Sequence, residues 1–128
     1  MLFRSVYLNR SGIRLEEAWF GPMNGAYRVV ARDFDLDGDM DIAATSFFPD
    51  YERSPREGFL LFENTGGRDR MEFRMSTFRQ SVAGRWLTMD AGDVDGDGDE
   101  DIVLGSLVRM PTAVPTALKE QWEKQGPS

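Results

Sequence analysis

The sequence predicts an all-β chain of short antiparallel strands, and three observations carry that prediction. The stretch DFDLDGDMDI (residues 33–42) returns as DVDGDGDEDI (residues 93–102), an offset of 60 residues. Each copy runs directly into a short apolar segment, IAATSFF or IVLGSL, of the length and composition of a strand. Elsewhere, short apolar-rich runs alternate with Gly, Pro and Asn turn signals, and no long helical period appears.

Taken in order, FRSVYLN (3–9) and IRLEEAWF (13–20) read as strands separated by the turn Arg10-Ser11-Gly12. Gly21-Pro22 and Asn24-Gly25 punctuate a loop, and Tyr27 to Ala31 is a strand entering the first acidic stretch. Ile42 to Phe48 leaves it. Pro49 to Glu57, PDYERSPRE, is a polar excursion whose two prolines forbid a regular element. Phe59 to Glu63 is the next strand, Asn64 to Arg68 a turn, and Met71 to Phe78 the following strand. Gly84 breaks the chain before the strand Arg85 to Ala91, and Ile102 to Val108 follows the second acidic stretch. Beyond Pro111 and Pro115, ALKEQWEK is a short helix ending at Gly126-Pro127.

Both acidic stretches read D-x-D-x-D-G-D-x-D-I. Five aspartates in nine residues repel one another, and a divalent cation is the natural compensation. Asp33, Asp35 and Asp37 alternate with other residues, so a tight loop turns their carboxylates towards one point. Gly38 supplies the positive φ of such a turn. Asp41 closes the shell, with the carbonyl of Asp39 as a further ligand. In the second copy the same parts are Asp93, Asp95, Asp97, Gly98, the carbonyl of Asp99, and Asp101. The donors are all oxygen, at least five to a loop, which suits calcium better than octahedral, water-keeping magnesium. The alternative is a solvated acidic turn without metal.

An EF-hand loop needs a bidentate acid at its twelfth position and flanking helices. Ala44 and Leu104 stand there, and strands follow. Dockerin-like modules repeat the loop much more closely than 60 residues, and thrombospondin-type calcium repeats carry cysteines, of which this chain has none.

The paired loops resemble the FG-GAP/VCBS repeats of β-propellers, including the calcium-binding blades of integrin α-subunit head domains. In that family the loop D-x-D-x-D-G-x-x-D joins the first and second strands of a blade. Its ligands are the first, third, fifth and ninth positions and the seventh carbonyl. The resemblance thus implies two calcium ions, on Asp33, Asp35, Asp37, Asp39 and Asp41, and on Asp93, Asp95, Asp97, Asp99 and Asp101. GFLLFENTG (58–66) is similar to the third strand and turn of such a repeat. The resemblance covers the chain up to about Leu107.

It implies a β-propeller segment of about two four-stranded antiparallel blades with a short C-terminal helical tail. Residues 1–21 form a half-blade, strands three and four of a preceding blade. Residues 22–82 form a full blade with the first calcium loop. Residues 83–110 form a half-blade, strands one and two, with the second loop, and 111–128 are the tail. Two blades cannot close a ring, and at least about three repeats are usually needed for stability. The remaining blades come from a longer parent chain or from further copies, whose complementary half-blades would pair head to tail.

At 128 residues the chain is one domain's worth of material. Its net charge of −7 has a local cause: 11 of 22 acidic residues lie in the two loops. Outside them 15 basic residues face 11 acidic ones, and the scattered arginines form no stripe for nucleic acid. No apolar run is long enough for a membrane span or resembles a signal peptide.

Zero histidines and zero cysteines remove the usual general base, thiolate nucleophile and zinc ligands. Glu16, Glu17 and Glu63 stand outside the loops without forming a marked pair, and calcium-chelating aspartates are poor proton donors. The expectation is therefore a non-enzymatic module for extracellular or cell-surface binding, adhesion or scaffold assembly, with the periplasm also compatible. The alternative is part of a propeller-fold lyase or hydrolase acting on polysaccharide. Trp19, Trp86 and Trp122 are expected in packing, and the methionines as scattered gap-fillers. The 49–57 excursion, with Tyr51, Arg53 and Arg56, is either a ligand-contacting loop for protein or carbohydrate or an ordinary solvated one.

Overall fold

The computed structural model describes residues 3–67, 70–107 and 114–125. Three antiparallel sheets follow one another along the chain. The first is a hairpin of β1 (Phe3–Ser11) and β2 (Arg14–Pro22). The second is a four-stranded meander of β3 (Ala26–Arg32), β4 (Asp41–Ser46), β5 (Phe59–Asn64) and β6 (Phe73–Ser76). The third pairs β7 (Trp86–Gly92) with β8 (Asp101–Ser106). One helix, α1 (Thr116–Gln125), follows. Among the described residues the sheets keep free edges, and no closed barrel or ring forms.

The sequence repeat is also a repeat of register. Ala26 pairs Ser46 and Arg32 pairs Asp41, with an irregularity between Ala26 and Arg28. Sixty positions on, Trp86 pairs Ser106 and Gly92 pairs Asp101, with an irregularity between Trp86 and Thr88. The same hairpin is built twice, and among the described residues only the first gains a third and fourth strand.

The central sheet packs on both faces, which explains the composition of β4. Ala43 and Ala44 are both fully buried, and larger side chains there would overpack one face or the other. Ala43 joins Val30, Phe59, Trp86 and Met89 on the face towards the third sheet. Ala44 joins Met23, Leu60 and Phe62 on the other, where Trp19 of β2 meets the ring edges of Phe62 and Phe73. Fully burying an apolar side chain of this size contributes about 1.5–3 kcal/mol.

Arg85 ties the second and third sheets together. Its buried guanidinium lies over the rings of Phe47 (3.9 Å) and Phe48 (4.9 Å), and its Nε donates to the Phe47 carbonyl at 2.8 Å. Burial pulls its pKa below the ordinary value.

Several boundaries depart from expectation. The first turn sits at Gly12-Ile13 rather than Arg10 to Gly12, because pairing continues out to Ser11↔Arg14. The Met71 to Phe78 strand shrinks to Phe73–Ser76, and a 3₁₀ turn follows at Arg79–Val82. Thr77 leaves the ladder, its hydroxyl donating to the Phe59 carbonyl at 2.6 Å. The residue-108 end of β8, the ends of the Asn64 to Arg68 turn and of the final helix, and the boundary at residues 110–111 lie outside the described residues.

All three tryptophans pack. Trp122 of α1 is buried, donates its indole N–H to the Val82 carbonyl at 2.8 Å, and meets Tyr51 edge-on at 6.0 Å. The 49–57 excursion therefore seats the helix through Tyr51, and burial raises that phenol's pKa.

Candidate metal centres

Each acidic stretch forms a loop wound around its own carboxylates. In the first, the Asp37 amide donates to Asp33 Oδ1 (3.1 Å) and Asp35 Oδ1 (3.2 Å). Gly38 N–H donates to Asp33 Oδ2 (3.0 Å), and Asp39 N–H to Asp37 Oδ1 (2.8 Å). The second loop repeats the network: Asp97 N–H to Asp93 and Asp95 Oδ1 (both 3.1 Å), Gly98 N–H to Asp93 Oδ2 (3.0 Å), Asp99 N–H to Asp97 Oδ1 (2.9 Å). As the turn requires, Gly38 and Gly98 take φ of 94° and 98°.

This winding converges the carboxylates. One oxygen from each of Asp33, Asp35 and Asp37 lies within 4.8 Å of the others, and so do oxygens of Asp93, Asp95 and Asp101. This grouping takes in three carboxylates of each loop and does not include Asp41 or Asp97. Three carboxylates so close could hold a metal ion, with oxygen as the donor type on offer. Partial desolvation, offset in part by the Asp37 N–H, and the charges of Asp41, Asp37 and Glu63 raise the Asp35 pKa above the ordinary 3.8. A cation at this point would relieve that crowding.

Asp41 makes two backbone contacts. It is buried to 1% exposure, Oδ2 accepting from Phe34 N–H (2.9 Å) and Oδ1 from Asn64 N–H (2.8 Å). It thus locks the loop's first turn to the end of β5. Asn64, which the sequence reading placed only in a turn, is the third-strand residue that completes the loop. Its side-chain oxygen also accepts from Gly66 N–H at 3.1 Å. The signal for it was present in the run FENTG. In the second loop Asp101 Oδ2 takes the Val94 N–H (2.9 Å), and Asp101 is only half-buried.

The two loops lie at the same end of the molecule. Arg32, at the exit of β3, reaches Glu100 of the second loop at 3.8 Å. Of the carboxylates weighed for acid–base chemistry, Glu63 is held by both oxygens on Arg74 Nη2 (2.6 and 2.7 Å), Glu17 accepts from the Tyr7 hydroxyl, and Glu16 faces Arg10 at 3.5 Å. No two of them converge on a cavity.

Comparison with known proteins returns no matching family model, no matching curated protein and no matching solved structure. The described helix is neither long nor apolar enough to cross a membrane.

Proposed function

We propose that the chain is a calcium-stabilised β-propeller segment of the FG-GAP/VCBS type, serving binding, adhesion or scaffold assembly outside the cell. The ion is structural. The observation that carries this reading is the duplicated loop, with matching amide-to-carboxylate bonds and three carboxylates gathered within 4.8 Å in each copy. Asp33 and Asp35, like Asp93 and Asp95, belong to a carboxylate group in both copies, and a bound cation would offset the repulsion that such grouping costs. A two-, four- and two-stranded succession of sheets supports the blade reading.

Loops of this type in extracellular modules usually bind calcium at about 10⁻⁴–10⁻³ M, which suits a secreted or surface location. Binding to the native state alone adds about 2.7 kcal/mol per site at a hundredfold excess over Kd. Calorimetric titration of the chelator-stripped chain should give two calcium sites, and chelation should lower the melting temperature. No heat of binding, together with an unchanged melt, would refute the reading.

A further inference from the structure

We propose that this chain assembles head to tail with further copies of itself, β1 of one copy adding to the free edge of β8 in the next, and Tyr7 filling an apolar groove beside β8.

The evidence begins with a second, weaker repeat. SVYLNRSG (5–12) aligns with LLFENTGG (60–67) at four positions: apolar Val6 with Leu61 and aromatic Tyr7 with Phe62, and the identical pairs Asn9 with Asn64 and Gly12 with Gly67. Both glycines take positive φ, 60° and 76°, after equivalent strands. So β1 corresponds to β5, as β8 corresponds to β4. Within one chain β4 and β5 pair; β8 and β1 each keep an unpaired edge among the described residues.

Transferring the β4–β5 register, Ile42↔Phe62 and Ala43↔Leu61, gives Ile102 opposite Tyr7 and Val103 opposite Val6 of the second copy. Three unexplained features then find a cause. Tyr7 is 54% exposed although its counterpart Phe62 is buried. Opposite Ile102, its ring would share the face on which a groove of about 380 Å³ lies open, lined by Phe59, Leu61, Phe78, Ile102 and Leu104. Val103 is 55% exposed although its counterpart Ala43 is buried. Opposite Val6, it meets a second groove, of about 270 Å³, lined by Val6, Trp19, Val29, Ile42 and Phe62 of the incoming copy. Finally, Asp41 Oδ1 takes the Asn64 amide, and the equivalent donor for Asp101 Oδ1 is the Asn9 amide of the second copy. The second loop is completed in trans as the first is in cis.

The interface is heterologous, so it closes into a ring or extends as a fibre. It is a matter of strand edges and apolar fit, and it stands apart from the calcium reading.

The test uses the absence of cysteine. Ser46 N–H donates to the Gly58 carbonyl, which places Ala43 and Leu61, and hence Val103 and Val6, at a non-hydrogen-bonded pair. Such pairs bring Cα atoms to roughly 4.5 Å, within disulfide reach. Mixing Val6→Cys and Val103→Cys single variants under mild oxidation should give the mixed heterodimer in preference to either homodimer, with calcium and with chelator alike. Light scattering of the unmodified chain should give multiples of 14.5 kDa, and Tyr7→Arg should return it to monomer with the melt of the isolated chain unchanged. A mixture that yields no heterodimer above the homodimers, or an unmodified chain that stays monomeric at its highest soluble concentration, overturns the proposal. Assembly that survives Tyr7→Arg overturns the groove assignment. Failure of calcium binding would appear in the titration and leave the cross-link standing.

Discussion

The two acidic loops are nearly the same sequence in two different settings, and the contrast separates what a loop specifies for itself from what its neighbours supply. Both wind their amides around the first carboxylate alike. They part at the final aspartate. Asp41 is buried and bonds two amides, one from a third strand; Asp101 is half-buried, at the edge of a two-stranded sheet. Local spacing fixes the winding, whereas burial of the closing carboxylate is conferred by β5.

The largest expected effect follows from that difference. Asp41→Ala leaves the buried Asn64 amide without its acceptor and should cost about 3 kcal/mol, against about 1 kcal/mol for Asp101→Ala in dilute solution. Equal costs in urea denaturation would break the comparison. A cost for Asp101→Ala that grows with protein concentration would sharpen it, since completion in trans needs a second copy.

Next comes the ion. Asp37→Ala and Asp97→Ala should each lower the melting temperature in calcium-replete buffer and leave it nearly unchanged in chelator, if each loop holds its own ion. A drop that persists in chelator would assign the aspartates to the fold alone.

A smaller effect concerns backbone strain. Leu36 has φ of 60°, and Gly96 occupies the same loop position with φ of 81°. A non-glycine residue in this region costs about 1–2 kcal/mol. Leu36→Gly should therefore stabilise the first loop by about 1 kcal/mol, and Gly96→Leu should destabilise the second by a similar amount. Gly96 also donates its N–H to Asp93 Oδ1 at 2.7 Å. Matching shifts of opposite sign in chelator would confirm that the loops share one backbone path.

The smallest effect is one of pH. Asp35 has a folded pKa raised above 3.8. The folded state then binds the proton more tightly than the unfolded state does. In chelator, Asp35's contribution to stability rises as pH falls through the raised value and is complete below 3.8. In calcium the sign reverses, because protonation expels the ion. Asp35→Asn should flatten both trends in pH-dependent melts.

Much of this was legible in residue order. Strand positions, the two loops and the excursion at 49–57 follow from turn chemistry and spacing, all local properties. What escaped depends on partners far along the chain. Asn64 meets Asp41 across 23 residues, Trp122 meets Val82 across 40, and Arg85 meets Phe47 across 38. Periodicity carries no trace of such pairings. Arg85 looked like the first residue of a strand, yet its side chain is among the largest fully buried ones in the molecule.

That arginine also bears on how the chain reaches its final form. Its anchor points are the carbonyl of Phe47 just past β4, the hydroxyl of Ser106 on its own amide, and the Leu107 amide on its own carbonyl. The last two form within the β7–β8 hairpin, but the Phe47 carbonyl and the two rings are reached only once both hairpins exist and have met. The wedge is therefore completed only when the halves meet, and together with the shared core of Val30, Ala43, Phe59, Trp86 and Met89 it joins them into one cooperative unit. A chain stopped before β7 would leave the buried Phe47 ring without the guanidinium that covers it, so the halves should melt together.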